Sequence, residues 1–221
     1  MTDTVDRVTD REAYDRLFEV LSTQRAMRRL HPDPVPEEDL ERLVAAAGRA
    51  PSGENLQPWS FVVVTDPELR RRLGQLYGPL WRMVGAYLKR KGGDEQYRRI
   101  LRSSDHLGAH MGEAPAIIVA CTRWAYPKFL RAGRMGQWGS VFPAVQNLLL
   151  SARALGLGAT MTTLHLTRER ALRKLLGIPK PWRPVAVIPV GFPRGRFAAG
   201  ARKPVPEILH WQRFSEQRSG K

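Results

Sequence analysis

The spacing of apolar residues along the chain predicts alternating helices and short buried strands. Residues 14–21 and 40–47 place apolar side chains three or four positions apart, which is typical of amphipathic helices. Apolar runs rich in β-branched residues and bounded by turn formers predict buried strands at 59–64, 116–122 and 185–190. Residues 157–163 predict a further strand whose glycines allow close approach of another backbone.

Further helices are predicted between these strands. A helix is expected to begin at Asp66-Pro67, and residues 79–111 have a looser helical pattern with a break at Gly92-Gly93. Residues 140–155 are apolar on more than one face, which favours a central helix or one that packs on a partner subunit. No internal repeat or linker interrupts the pattern, so residues 1–221 are predicted to form a single domain.

Composition indicates a globular protein of the reducing cytoplasm. Hydrophobic residues make up 43% of the 221 residues, which is enough for a full core, and no apolar run reaches membrane-spanning length. The start of the chain has no apolar export signal, so an unexported, soluble protein is expected. The single cysteine, Cys121, excludes an internal disulfide and, within a predicted strand, is expected to be a buried, inert thiol.

The chain is strongly basic, with a formal net charge of +15. Such a charge attracts nucleic acids, anionic membranes or acidic small molecules. The basic residues are, however, scattered along the whole chain, and no recognised DNA-reading motif accompanies the densest run, Arg70-Arg71-Arg72. The charge therefore permits an anionic partner without identifying it, and neither nucleic acid nor membrane is expected.

Candidate binding chemistry lies in three places. Residues 51–57 combine prolines, a glycine, a serine and side-chain amides, which predicts either a rigid ligand-binding loop or a capped helix-to-strand turn. Arg25 and Arg28 stand three apart beside a helix end, where both could bind one phosphate or lie solvated. His106 and His110 have a metal-ligand spacing but no accompanying motif, so no metal site is predicted.

An aromatic segment and a basic tail complete the set of candidates. The aromatic segment leaves two interpretations open, a mobile lid over a flat ligand or a satellite cluster on the core, and its members are Trp124, Tyr126, Phe129 and Trp138. The tail from Arg194 has no core of its own, so it is expected to lie on another surface.

Several of these segments together resemble the nitroreductase superfamily. Residues 24–30, with the sequence QRAMRRL, resemble its opening arginine motif, and residues 51–59, PSGENLQPW, resemble its PSxxNxQPW signature. Residues 146–159 are similar to its central helix-to-strand junction, and Arg202-Lys203-Pro204 resembles its basic C-terminal motif. The matches follow the family's order over residues 20–212, and the second is the most specific.

The resemblance implies an FMN-binding α+β fold, in which a mainly antiparallel central sheet is flanked by helices. It also implies an intertwined homodimer, with a C-terminal extension wrapping the partner subunit and two flavin sites at the interface. Arg25 and Arg28 would hold the FMN phosphate, joined by Arg202 or Lys203 from the tail. The main chain at Gln24 and Ala26 would shape the same pocket. The other subunit would face the ring and ribityl chain with Pro51, Ser52, Gly53 and Asn55. The isoalloxazine edge, near flavin N5 and O4, would meet backbone N–H groups of Met161, Thr162, Thr163 and Leu164.

Two positions depart from the family's pattern without removing these contacts. Ala26 stands where many members have serine, and Glu54 places a carboxylate where a small residue is common. FMN binding is therefore still expected.

The resemblance further implies an enzyme in which the flavin carries the chemistry and no side chain is a catalytic nucleophile. The expected reaction is two-electron transfer from NAD(P)H through FMN to a nitroaromatic, quinone or similar planar acceptor, by a ping-pong mechanism. Other members of the fold are dehalogenases, azoline or dipeptide oxidases, or flavin-fragmenting enzymes, and these activities remain alternatives. A flavin-storing protein and a basic nucleic-acid-binding module are alternatives of other classes.

Overall fold

A four-stranded antiparallel sheet lies at the centre of the computed structural model, which describes residues 10–214. The strands have the spatial order β1-β2-β4-β3 and the bounds β1 Trp59–Val64, β2 Ala116–Thr122, β3 Gly158–Ala159 and β4 Arg183–Gly191. Val119 of β2 pairs with Val62 on one side and with Val187 on the other. All seven residues of β2 are buried, whereas the edge strand β1 is partly exposed.

Helices cover both faces of this sheet. On one face, α2 (Glu37–Ala47) and α5 (Arg131–Ala154) pack against side chains such as Ile118 and Ile188. On the other face, α3 (Pro67–Arg90) and α6 (Glu169–Leu176) pack against the alternate side chains, including Ile117 and Val187, with α4 (Glu95–His110) lying on α3. The alternation follows from the two-residue period of a strand. It confirms the expected α+β fold.

Helices α3 and α4 begin at aspartate caps. Asp66 accepts a hydrogen bond from the Leu69 N–H (2.8 Å) at the start of α3, and Asp94 accepts one from the Tyr97 N–H (2.7 Å) at the start of α4. These carboxylates satisfy N–H groups that lack a partner within the helix and complement the helix dipole. The predicted break at Gly92-Gly93 therefore separates two capped helices.

The first helix, α1 (Arg11–Thr23), lies outside the core and has no buried residue. Its contacts with the rest of the chain centre on Arg153 of α5, whose Nε donates to the Thr23 hydroxyl (2.8 Å). The Arg153 guanidinium also lies 4.4 Å from the ring centre of Phe197 in the C-terminal tail. The apolar face of α1 remains exposed, and it comprises Tyr14, Leu17, Phe18 and Leu21.

The strands at 59–64 and 116–122 are confirmed with the predicted bounds, but two other predictions are corrected. Helix α5 begins at Arg131, not at Ser140, so its first turns contain glycines. At Gly133, a Cβ would lie 2.1 Å from the Pro127 carbonyl oxygen, so glycine lets the helix pass this backbone. The strand predicted at 157–163 has only two residues, followed by an isolated bridge from Thr162 to Val187.

Among the residues that the structure describes, no helix combines the length and apolar character needed to cross a bilayer.

Candidate functional site

Many of the predicted binding residues meet around one cavity of about 560 Å³, which we call the arginine cavity. Five parts of the chain line it: the segment after α1, residues 96–103 of α4, Leu149 of α5, the segment after β3, and the tail. The predicted residues among them are Gln24, Arg25, Ala26, Arg28, Met161 and Arg202; the others are Gln96, Arg99, Ile100, Ser103, Leu149, Thr160, Gly200 and Ala201. The lining contains four arginines and no acidic residue.

The arginine motif reaches the cavity because it runs beside the sheet as an extended segment. Ala26 forms a parallel bridge with Ala159, and the Met27 N–H donates to the Ala159 carbonyl (3.0 Å). A Cβ at Gly158 would lie 2.9 Å from that of Met27, so glycine permits this close approach. Because Met27 is buried, it anchors the extended segment that carries Arg25 and Arg28 to the cavity.

The arginines of the cavity converge from distant positions and differ in exposure. Arg25 is exposed, whereas Arg28 is partly buried, and this burial lowers its pKa, opposed by the nearby Tyr77 phenol. A guanidinium nevertheless stays charged under physiological conditions. Arg202 arrives from the tail, where its guanidinium donates to the Ala201 carbonyl (2.9 Å). Arg25, Arg28 and Arg202 line the cavity together, and the lining has no carboxylate. The cavity is therefore suited to an anionic ligand.

Behind the cavity lies a buried group of polar side chains. The Tyr77 hydroxyl forms a hydrogen bond with Thr162, and burial raises its pKa despite that bond and the charge of Arg28. His165 stacks on Tyr77 with ring centres 5.0 Å apart, and its Nε2 lies 3.2 Å from the Leu73 carbonyl oxygen. Burial lowers the pKa of His165 to about 4, so the ring is neutral at pH 7. This group joins α3 to the segment that carries Met161.

The predicted flavin-edge segment has only part of its backbone available for a ligand. The Thr162 N–H donates to the Val187 carbonyl (2.9 Å), and the Leu164 N–H donates to the Thr162 hydroxyl (3.3 Å). The N–H groups of Met161 and Thr163 have no acceptor among residues 10–214. Two of the four predicted backbone donors are thus engaged within the chain, and two are open.

Loop 51–57 lies apart from the arginine cavity and contributes no lining residue. The Ser52 hydroxyl accepts from the Gln57 N–H (3.0 Å), and the Gln57 and Asn55 side chains bond to each other (3.0 Å). The Tyr126 hydroxyl donates to the Gly53 carbonyl (3.2 Å) and bonds to the Ser140 hydroxyl (2.9 Å). The structure confirms a loop held by its own polar groups, and it does not bring Pro51, Ser52, Gly53 or Asn55 to the arginines of the same chain.

The aromatic segment is anchored at both ends and exposed in the middle. Trp138 lies between Trp124 (5.9 Å) and Phe142 (6.1 Å), and the buried Gln137 side chain accepts from the Ala125 N–H (3.0 Å). Phe129 is 82% exposed. The glycines at 133, 136 and 139 lie within α5 and therefore belong to a regular helix. If the segment moves, Phe129 and its immediate neighbours are the part free to do so.

Sequence reasoning missed the wall that α4 contributes to the arginine cavity. Gln96, Arg99, Ile100 and Ser103 stand at the spacing of one helix face, which is a recognisable signal. Because these residues differ in polarity, they form no apolar stripe that would mark this face of the helix. Lys203, Thr162, Thr163 and Leu164 do not line this cavity.

The remaining candidates have structural explanations. His106 and His110 stack with ring centres 4.4 Å apart, and His110 Nδ1 lies 2.9 Å from a Glu113 carboxylate oxygen. Within residues 10–214, no three His, Cys, Asp or Glu side chains are grouped to hold a metal ion. Cys121 is buried, and burial raises the pKa of its thiol to about 11, as expected for an unreactive thiol.

Comparisons with known proteins agree on one family. The nitroreductase family model matches residues 21–192. A provisionally named NADH dehydrogenase/NAD(P)H nitroreductase of Archaeoglobus fulgidus is 28% identical over 182 residues, which are 81% of this chain and 87% of the relative. Iodotyrosine deiodinase 1 of Rattus norvegicus is 27% identical over 179 residues, 80% of this chain; the match spans 61% of the deiodinase.

Solved structures show the same fold. Nitroreductase A from Vibrio parahaemolyticus superposes with a TM-score of 0.68 at 20% identity, covering 92% of this chain and 78% of its own. An oxidised iodotyrosine deiodinase bound to FMN and 3-iodo-L-tyrosine superposes with a TM-score of 0.67 at 26% identity, covering 90% of this chain and all of its own.

Proposed function

The chain belongs to the nitroreductase family, and we propose that it is an FMN-dependent oxidoreductase that uses NAD(P)H to reduce a planar nitroaromatic, quinone or related acceptor. The observation that carries the proposal is the convergence of Arg25, Arg28 and Arg202 in one cavity beside Met161. Arg202 is far from Arg25 and Arg28 in the sequence, and a shared anion explains why they meet.

The arginine cavity fits FMN in size and charge. Its volume of about 560 Å³ lies within the range of about 300–1,000 Å³ that is usual for small-molecule sites. The phosphate would carry about 1.5 to 2 negative charges, which Arg25, Arg28 and Arg202 would offset through paired guanidinium donors. When bound, FMN supplies the redox chemistry, taking two electrons from the donor and passing them to the acceptor.

The protein's own contribution is then position and field. The Met161 and Thr163 N–H groups have no acceptor in the described chain, and Met161 lines the cavity, so its N–H would donate to the flavin edge. Donors that are already oriented stabilise developing charge without reorganising. Tyr77 and Thr162, bonded behind the cavity, would hold this segment in place.

We also propose that the functional unit is a homodimer in which loop 51–57 of one subunit completes the cavity of the other. The exposed apolar surface supports this proposal, since it includes the apolar face of α1 and the tail residues Val205, Ile208 and Phe214. Helix α5 contributes less to the proposed dimer interface than its sequence predicts, because most of its apolar side chains are buried in the same chain.

The proposed location in the cytoplasm rests on the single buried cysteine.

The proposal is tested by an anaerobic titration of the purified, FMN-loaded protein. NADH, NADPH and a deazaflavin donor are added separately, and an effective donor bleaches the flavin absorbance. A nitroaromatic acceptor then restores the absorbance as ArNO2 + NAD(P)H + H⁺ gives ArNO + NAD(P)⁺ + H2O. Protein that fails to bind FMN, or whose flavin no donor reduces, would contradict the proposal. Flavin that is bound but inert would instead indicate a storage role.

Reductive dehalogenation is the second candidate, and the similarity to deiodinases favours it specifically. The balanced step is ArI + 2e⁻ + H⁺ → ArH + I⁻. Release of iodide from 3-iodotyrosine by the reduced protein, faster than reduction of any nitroaromatic, would favour this candidate over the first.

A further inference from the structure

We propose that Arg99 binds an anionic group on the acceptor, so that the preferred substrates are planar aromatic compounds carrying a carboxylate. This inference rests on the proposed function and names its substrate class. Arg99 lies on the α4 wall of the arginine cavity, together with Gln96, Ile100 and Ser103. It comes from a different part of the chain than the three arginines assigned to the FMN phosphate.

The charges on α4 are divided between two faces of the helix. Glu95 binds Arg98 (3.4 Å) and Arg102 (2.6 Å), and all three side chains are more than half exposed. Arg99 faces the cavity instead and has no carboxylate within salt-bridge distance among residues 10–214. Two arginines of this helix therefore share one carboxylate, and the one that lines the cavity has none among the described residues.

The charge balance of the cavity leaves Arg99 without a role in holding the cofactor. Three arginines already exceed the phosphate's charge of about −1.5 to −2. A fourth cation, Arg99, faces the same space; it is exposed and no acidic residue lines the cavity, so it is open to pair with a second anion. The acceptor can supply this second anion, because it must enter the same cavity as the flavin.

The apolar surface near Arg99 indicates the rest of the ligand. Ile100 is 46% exposed and adjoins Arg99 on the helix, and Met161 is 41% exposed on the segment after β3. Both line the cavity, and a thioether packs well against an aromatic ring. Gln96 and Ser103 add neutral hydrogen-bonding groups on the same helix face. An aromatic body with an anionic substituent matches this combination.

The test compares 4-nitrobenzoate with its neutral counterpart 4-nitrobenzamide. Binding to the FMN-loaded protein is measured by calorimetry without reductant, and kcat/KM is measured with the effective donor. Arg99→Gln should weaken 4-nitrobenzoate binding by about tenfold or more, the usual effect of losing one charge-assisted contact. The kcat/KM ratio of benzoate to benzamide should fall by a similar factor. Arg102→Gln, at a neighbouring arginine of α4 that pairs with Glu95 and does not line the cavity, is the matched control and should leave the ratio as in the wild type.

Three results would overturn the inference: equal losses for both compounds, a loss of FMN affinity in Arg99→Gln, or a loss confined to NAD(P)H binding. Each would assign the guanidinium to another ligand or to the fold. Arg99-dependent binding of 4-nitrobenzoate without turnover by any donor would support the inference and contradict the proposed function. Turnover without dependence on Arg99 would do the reverse.

Discussion

The arginine cavity and loop 51–57 are two parts of one expected flavin site, yet they are built differently. The cavity draws its arginines from distant parts of the chain and brings them together within one subunit. The loop is local in sequence, is held by its own hydrogen bonds and by Tyr126, and lies away from those arginines. One part thus forms through long-range contacts, and the other is a rigid unit that is presented as a whole.

This difference predicts how the cavity and the loop respond to substitution. The cavity depends on the packing behind it, since Tyr77, Thr162 and His165 hold the segment after β3 against α3. The loop depends on a few polar contacts near the surface. Perturbing the first should therefore change global stability and cofactor affinity, and perturbing the second should have smaller, local effects.

The largest expected effect is a loss of stability in acid through His165, behind the cavity. Burial lowers its pKa from the ordinary 6.5 to about 4. Above pH 6.5 the ring is neutral in both states, so its contribution is complete. Between pH 6.5 and 4 only the unfolded chain takes up the proton, and the free energy of unfolding should fall by about 3 kcal/mol. Denaturant unfolding at several pH values measures this slope.

A variant isolates this histidine from the carboxylates that also titrate in acid. His165→Phe keeps a ring beside Tyr77 and removes the titration, so its stability should decline less steeply than that of the wild type below pH 6.5. His31→Gln, at an exposed position, should keep the wild-type slope. Identical slopes in wild type and His165→Phe would show that His165 is not buried in the neutral form.

The second effect is on cofactor affinity within the arginine cavity. Arg28→Ala removes a partly buried guanidinium and should weaken FMN binding by roughly 1.5–3 kcal/mol, or about one to two decades in Kd. Riboflavin lacks the phosphate, so its affinity should change little. Fluorescence titration of apoprotein measures both.

Arg29→Ala is the matched control for this variant, because Arg29 is the exposed neighbour and does not line the cavity. Its FMN affinity should equal that of the wild type. An Arg28→Ala protein that loses riboflavin affinity as strongly as FMN affinity would show that Arg28 does not act on the phosphate.

The contrast between the two parts also determines what the sequence could predict. The strands at 59–64 and 116–122 have strong local patterns, and their predicted bounds agree with the structure. The meeting of the arginine motif with Arg202 was implied only by family resemblance, because no local pattern encodes a contact between residues so far apart. The start of α5 was misplaced since glycines usually favour loops, and only the nearby Pro127 backbone explains Gly133.

The α4 wall of the arginine cavity is a second feature that local sequence patterns do not predict. Gln96, Arg99 and Ser103 are ordinary surface residues by composition, and their role emerges once α4 is packed on α3. Conversely, loop 51–57 is the most specific motif in the sequence, yet it does not line the cavity of its own chain. Local patterns predict elements, whereas the site depends on contacts between elements.

A smaller effect is expected from loosening loop 51–57. Tyr126→Phe removes the hydroxyl that bonds to the Gly53 carbonyl and the Ser140 hydroxyl, which should cost about 0.5–1.5 kcal/mol of stability. Tyr87→Phe, at an exposed tyrosine, is the control and should leave stability unchanged. If the loop meets the flavin of a partner subunit, Tyr126→Phe also lowers FMN affinity. An unchanged affinity would separate this loop from the flavin site.

The smallest effect on stability is expected at Phe129, in the middle of the aromatic segment. Its side chain is 82% exposed, so Phe129→Ala should change the free energy of unfolding by no more than about 0.5 kcal/mol. If this ring covers a planar acceptor by offset stacking, the same variant should alter the ranking of aromatic acceptors by kcat/KM while FMN affinity stays constant. Thermal melting and kinetics with a nitroaromatic and a quinone measure both. A loss of about 3–5 kcal/mol, as for a buried phenylalanine, would mean that a partner subunit covers the ring. A stable variant with unchanged ranking would remove the segment from the site altogether.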